Sequence, residues 1–371
     1  YDMLRSLVGS EMCIRDRALC TLTAWVPCKQ ETAPEESEKL VFREIWAYLM
    51  KGEEHELTGA EPITDLCYFS ASLTREGRIA EAVPRPALTV KNAARPSIHL
   101  VIAELSNEAL LHFCLNSRYG VRPLLIEDIR LVSEGFDGVQ IDFESVSRKD
   151  AEVFIDFLKE LRSSLPAEKK LSIALPARTK AIVDDPYDYS RIAPFVDRMV
   201  IMAYDEHWST SSPGPVASLP WCAKVADYAK STVETGKIIM GLPLYGRAWQ
   251  DKRLARALRF RNVQELIAEK QSAVNYHPEL GAHFEYLENV VVKVFYDDHR
   301  TILEKLRLYR DRGIGSVSFW RIGQGPPHLW DSLEAAPPED VPTAGGGSGR
   351  LPGLALRFAS GAATKSLSRK F

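Results

Sequence analysis

The chain has 371 residues, of which 45% are hydrophobic and 26% charged, with a formal net charge of −3. That composition supports a large buried core and leaves disorder out as the main theme, while Lys and Arg scattered among Asp and Glu offer no surface to a phosphate backbone. Nucleic acid is not expected as a partner, and no apolar run is long enough to cross a bilayer as a helix.

At the start of the chain, Tyr1 to Arg17 resembles translated sequencing-adapter sequence and is set aside as non-native. Ala18 to Cys28 is apolar, follows Arg15 and Arg17, and precedes the polar run Lys29 to Glu38. This is the order of a secretory signal, so residues 18–40 are expected to be a signal or lipoprotein segment with its linker, and the mature protein to lie outside the cell or in its envelope. Cys28 is the candidate lipid anchor, although Pro27 before it departs from the small residue such sites prefer. Of the six cysteines, three lie before residue 30; the other three, Cys67, Cys114 and Cys222, sit in apolar surroundings and read as small buried hydrophobes, and no C-x-x-C spacing suggests zinc.

Short β-branched or aromatic runs then alternate with helical patterns, as in parallel βαβ construction. The strand-like runs are Glu44 to Leu49, Leu66 to Ser70, Ile98 to Ala103, Gly138 to Phe143, Leu171 to Leu175, Met199 to Ala203, Ile238 to Leu242 and Ser316 to Trp320. Eight of them point to an α/β fold, a (β/α)8 TIM barrel over residues 41–335. After the fourth run, Ser147 and Asp150 suggest a capped helix start, with Val153, Phe154, Phe157, Leu158 and Leu161 on one face. His299 to Arg312 forms a second amphipathic helix stopped by Gly313. Residues 251–298 are too many for one βα connection and are expected to form a small α+β insertion after the seventh strand, with a helix at Val263 to Lys270 and a strand at Val290 to Phe295. Residues 336–371, rich in Pro and then Gly, are expected to be a flexible tail.

The chemistry concentrates on the fourth run. Alternation puts Gln140, Asp142 and Glu144 on one face and Val139, Ile141 and Phe143 on the other. Residues two apart on a strand are about 6.5 to 7 Å apart, so Asp142 and Glu144 interact, and partial burial beside another carboxylate raises the pKa of Glu144. A carboxyl still protonated near neutrality can protonate a leaving group. The bare pattern also fits a buried hydrogen-bonded acidic pair or a divalent-metal site at a strand end.

Asp137-Gly138-Val139-Gln140-Ile141-Asp142-Phe143-Glu144 resembles the D-G-x-D-x-D-x-E signature of family 18 glycoside hydrolases, the chitinase-like enzymes. Met202-Ala203-Tyr204-Asp205 matches that family's M-x-Y-D element, Gly241-Leu242-Pro243-Leu244-Tyr245-Gly246-Arg247 its seventh-strand element, and Trp320-Arg321-Ile322-Gly323 its eighth-strand aromatic. The resemblance implies Glu144 as general acid, with Asp142 and Tyr204 holding the substrate's own 2-acetamido group while it attacks the anomeric carbon. It also implies Trp320 as the floor under the sugar, with Gln140, Asp205, Tyr245 and Arg247 as further substrate contacts. The reaction would be retaining hydrolysis of β-1,4-linked N-acetylglucosamine-containing glycan by a monomer, without metal or organic cofactor.

Three departures turn the resemblance toward the spore-cortex and peptidoglycan-lytic branch. Position 140 is Gln where chitinases carry Asp, the third strand lacks their S-x-G-G element, and Asp205-Glu206-His207-Trp208 precedes Pro213-Gly214-Pro215. A lectin-like barrel that has lost catalysis is the competing reading, and Glu144, which such proteins lose, argues against it. An envelope structural protein would leave the inward carboxylates without a purpose.

Overall fold

The computed structural model describes residues 39–88, 95–250, 255–287 and 291–337. The adapter-like segment, the signal or lipoprotein segment with Cys28, and the tail beyond Pro337 lie outside the described residues.

Fifteen strands are described, β1 (Leu40–Phe42), β2 (Glu44–Met50), β3 (Asp65–Ser72), β4 (Ser97–Glu104), β5 (Gly138–Phe143), β6 (Lys170–Pro176), β7 (Arg198–Met202), β8 (Ile238–Pro243), β9 (Tyr245–Gln250), β10 (Arg256–Arg259), β11 (Asn275–His277), β12 (Gly281–Leu287), β13 (Val291–Tyr296), β14 (Ser316–Trp320) and β15 (Leu333–Ala335). Eight of them close a parallel barrel in the order β14-β2-β3-β4-β5-β6-β7-β8. Every strand-like run of the sequence is a barrel strand, because each carries enough apolar side chains to be buried on both faces, as a parallel sheet requires. Cys67, Cys114 and Cys222 are buried free thiols, as expected.

Among the helices, α1 (Glu108–Leu115), α2 (Arg122–Val132), α3 (Ala151–Ser164), α4 (Tyr189–Ile192), α5 (Leu219–Thr232), α6 (Phe260–Lys270) and α7 (His299–Asp311), two were legible in detail. α7 begins with a capping box between Asp298 and Thr301 and buries Ile302, Leu303, Leu306 and Tyr309; Gly313 follows at φ +73°, a left-handed conformation that favours glycine. α3 buries Phe154, Phe157, Leu158 and Leu161, but its start differs from expectation. A 3-10 turn, Arg148–Asp150, precedes it, and neither Ser147 nor Asp150 caps through its side chain. The Asp150 carboxylate is committed instead to Nδ1 of His112 at 2.7 Å.

The insertion is larger than expected. It opens at β9, directly after β8, and forms a five-stranded antiparallel sheet in the order β10-β9-β13-β12-β11 with α6 against it. Tyr245 to Arg247, matched in sequence to the family's seventh-strand element, therefore belongs to the insertion. The turn is made at Leu244, whose N–H donates to the Trp320 carbonyl at 2.7 Å. β1 and β15, absent from the expectation, pair in parallel, and Ala336, assigned to the tail, still donates to the Phe42 carbonyl at 2.7 Å.

The N-terminal end of the barrel is filled by charge. Asp65 accepts from Lys170 Nζ at 3.0 Å and faces Nε2 of the fully buried His99 at 2.9 Å. Arg198 grips Glu44 through Nη2 at 2.6 Å and Nε at 2.9 Å. Asp137, on the outward face of the fourth barrel strand, is structural, accepting from the Ile98 amide at 2.7 Å. Burial alone would raise the Asp65 carboxyl, but His99, Lys170 and Thr64 outweigh it and hold it at about 2, below its ordinary 3.8. A carboxyl depressed by folding stabilises the fold above its unfolded pKa, and that contribution fades as pH falls through the folded one. Asp65→Asn is expected to cost about 2 kcal/mol at neutral pH. In urea titrations the gap between variant and parent should close between pH 4 and pH 2.

Candidate active site

β5 is buried along its whole length, and its glycine is a packing requirement. A Cβ on Gly138 would lie 2.2 Å from His99 Nδ1. Next on the inward face, Gln140 is fully buried. Its Oε1 accepts from the Tyr48 hydroxyl at 2.6 Å and its Nε2 donates to Ser172 Oγ at 3.2 Å. Both ends of the amide are satisfied inside the barrel, and Gln140 does not reach the cavity wall. Gln140, expected as a substrate contact, lies one step deeper than the residues that line the cavity.

Asp142 is buried, and its Oδ1 has no hydrogen-bond partner among the described residues. Burial, and then the charge of Glu144, push its carboxyl well above the carboxylate range. Glu144 follows the last residue of β5, its N–H donating to the Glu104 carbonyl at 3.0 Å. Its side chain keeps access to solvent within the cavity wall, and burial by that wall, followed by the charge of Asp205, pushes it up to about 7.

The sequence reading missed what holds this strand end. The Tyr187 hydroxyl donates to the Phe143 carbonyl at 2.8 Å and accepts from the Val146 N–H at 2.8 Å, clamping the backbone on both sides of Glu144. Tyr187 is itself held by Asp185, which accepts its N–H at 3.1 Å and pairs with Arg178 through Nε at 2.6 Å. A tyrosine more than forty residues away in sequence leaves no local pattern to find.

Tyr204 lies just past β7 with its ring over the next strand, where a Cβ on Gly241 would come within 3.1 Å of it. Burial, then Asp142 and Glu144, raise its hydroxyl pKa well above 10, so it stays a donor facing the two carboxyls. Asp205 adopts φ +58°, and its Oδ1 accepts from the Tyr245 hydroxyl and from Arg247 Nη2 at 2.7 Å. Trp320 ends β14, its ring edge-on to Tyr48 and Phe69 at 5.1 Å each.

Together these side chains line one cavity of about 540 Å³ at the C-terminal end of the barrel strands. Asp142, Glu144, Tyr204, Asp205, Tyr245, Arg247 and Trp320 all reach it. Tyr48, Phe69, Trp221, Arg256, Arg259 and Arg321 also line it and were not anticipated. Arg259 links the insertion to the loop after β2 through Glu53 at 2.8 Å and Glu56 at 2.9 Å, so part of the wall belongs to the insertion. Among the described residues, no group of three or more His, Cys, Asp or Glu is placed to hold a metal ion.

A parallel barrel with paired carboxylates at the end of its fourth strand, a tyrosine and an acid after the sixth and a tryptophan after the eighth is the arrangement that the sequence motifs imply. The family model for glycosyl hydrolases family 18 matches residues 126–325. The chain belongs to this family. YdhD of Bacillus subtilis is 33% identical over 227 residues, covering 58% of this chain and 54% of its own length. The cortical fragment-lytic enzyme of Bacillus anthracis is 29% identical over 291 residues, covering 73% of this chain and 67% of its own. The chain thus spans about half to two thirds of these relatives. The crystal structure of the Bacillus cereus spore cortex-lytic enzyme SleL superposes with a TM-score of 0.71 at 26% identity, covering 81% of this chain and 75% of that one. A chitinase from Chromobacterium violaceum shares the fold, with a TM-score of 0.67 at 22% identity over 78% of this chain and 98% of its own.

The Tyr187 clamp yields a test that is independent of activity. Tyr187→Phe leaves a buried N–H and a buried carbonyl unpaired, at a cost of about 1 to 3 kcal/mol. Denaturation should show that loss, and hydrogen exchange should speed up at the Val146 amide more than at amides of the neighbouring strands. Unchanged protection at Val146 would remove the clamp from the description of the site.

Proposed function

We propose that this family 18 protein hydrolyses β-1,4-linked N-acetylglucosamine-containing glycan, with peptidoglycan or its fragments favoured over chitin. The observation that carries this reading is a carboxyl pushed up to about 7, Glu144, at a cavity wall two residues from the buried carboxyl of Asp142. Glu144 protonates the glycosidic oxygen. Asp142, whose Oδ1 lacks a partner among the described residues, accepts the N–H of the substrate's acetamido group, and Tyr204 donates its hydroxyl to the same group. The acetamido oxygen attacks the anomeric carbon as the leaving group departs. Water opens the resulting oxazolinium ion from the face that the leaving group has vacated, displacing the acetamido oxygen from the anomeric carbon with net retention, and Glu144 now acts as base. Both carboxyls come from one strand end, which suits a substrate that supplies its own nucleophile.

Trp320 offers the sugar an apolar face from the floor of the cavity. Asp205, whose Oδ1 is already bonded to Tyr245 and Arg247, acts on the substrate through its remaining oxygen and raises the Glu144 pKa by its charge. The names of the cortical fragment-lytic and spore cortex-lytic relatives favour a wall glycan. Such a substrate places the protein's work in the envelope or outside the cell.

Two outcomes test the assignment. Glu144→Gln should lower turnover by roughly 10² to 10⁴ with little change in glycan affinity. A substrate whose leaving group needs no protonation should partly rescue that variant and should not rescue Asp142→Asn; equal rescue of both would defeat the division of roles. The pH profile supplies the second. A general acid must be protonated, so kcat/KM should fall as pH rises through about 7, and Asp205→Asn, which removes a raising charge, should move that limb to lower pH.

A further inference from the structure

Among the described residues, four arginines line the cavity, and their partners divide them sharply. Arg247 is bound to Asp205. Arg259 is held between Glu53 and Glu56, and Arg321 pairs with Glu53. Their guanidinium groups are neutralised by the protein; Arg247 and Arg259 join the insertion to the barrel end, and Arg321 ties two barrel-end loops together. Arg256 differs: it is exposed at the cavity wall, and among the described residues no carboxylate, carbonyl or aromatic ring engages it.

Its backbone, in contrast, is well placed. Arg256 opens β10 opposite Ala248 of β9, and the next residue, Ala257, lies opposite Arg247. The preceding residue, Ala255, is buried and donates its N–H to the Ser209 carbonyl at 2.9 Å, tying the start of β10 to the loop after β7 that follows Asp205. A fixed strand therefore carries a permanently charged, unpaired fork of N–H donors into the cavity that also contains Asp142 and Glu144. A neutral polysaccharide has no group that requires that charge. A carboxylate has, and it matches guanidinium geometry in two parallel hydrogen bonds.

We propose that Arg256 binds a carboxylate borne by a sugar next to the one held at Glu144, and so makes the cavity prefer acid-substituted N-acetylglucosamine glycan over its neutral counterpart. The inference rests on the glycosidase reading above. It makes Arg256 a specificity-determining residue without a part in bond cleavage.

Binding tests it separately from turnover. The probes are a tetrasaccharide of alternating N-acetylglucosamine and N-acetylmuramic acid with its lactyl carboxylates intact, and the same tetrasaccharide with those carboxyls reduced to alcohols. Dissociation constants are measured by calorimetry on Glu144→Gln, with and without Arg256→Gln or Arg256→Glu. The parent should bind the acidic glycan more tightly, by roughly threefold to tenfold for a solvent-accessible ion pair. Arg256→Gln should abolish that ratio while leaving the reduced glycan's affinity unchanged, and Arg256→Glu should invert it. Equal affinity for both glycans in the parent, an equal loss of both on substitution, or no binding of either would overturn the proposal. Hydrolysis of the same glycans by the unsubstituted protein is scored independently: binding with the expected ratio but no cleavage overturns the glycosidase reading and leaves the role of Arg256 in recognition standing.

Discussion

Two carboxyls two residues apart at the end of one buried strand impose the constraint around which the cavity is organised. Neither can be fully ionised at low cost. Asp142 is enclosed and leaves one oxygen unpaired, while Glu144 feels both burial and the charge of Asp205. A protein selected only for stability would replace such a pair with apolar side chains of similar volume. Its retention at the open end of a barrel, with polar groups converging on it, is what gives the proposed chemistry its physical basis.

The surroundings show how the cost is contained. Below the pair, Gln140 is locked between Tyr48 and Ser172, so the barrel interior offers Asp142 no second carboxyl with which to share a proton. Behind it, Tyr187 fixes the backbone on both sides of Glu144. Opposite, Asp205 is held by Tyr245 and Arg247 from the insertion, so its charge stays in place. Side chains near the carboxyls are thus positioned by partners from β2, β6 and β9 and from the loops after β6 and β7. That division explains why a barrel suits this arrangement: neighbouring strand ends bring together groups that are remote in sequence.

The insertion extends the same logic to the cavity wall. Its antiparallel sheet has its own buried cluster around Phe284, Val294 and Tyr296. It is anchored to the barrel end by ion pairs through Arg259 and by the Phe260 N–H on the Gln324 carbonyl at 2.9 Å. A self-supporting unit fastened at several points can carry Arg256 at a defined place without relying on a long loop.

The amino-acid sequence by itself determined the barrel and the face of the fourth strand that carries the chemistry. Both follow from local periodicity: apolar runs of strand length separated by amphipathic helices, and an alternation that puts Gln140, Asp142 and Glu144 on one side. Motif resemblance added Tyr204, Asp205 and Trp320. The sequence could not reveal how deep each residue lies, because depth depends on where neighbouring strands end; Gln140 proved to be beneath the cavity. The extent of the insertion was misjudged because Pro243 and Gly246, which flank the turn at Leu244, fall within one seventh-strand motif; the hydrogen bond from Leu244 to Trp320 marks where the chain leaves the barrel. Ser147 and Asp150 had the right types for a helix cap, but a competing tertiary partner, His112, claimed the aspartate. The Tyr187 clamp and the pairing of the cavity arginines were decided by tertiary structure alone, since hydrogen bonds and ion pairs between residues far apart in the chain are chosen by geometry and leave no periodic trace.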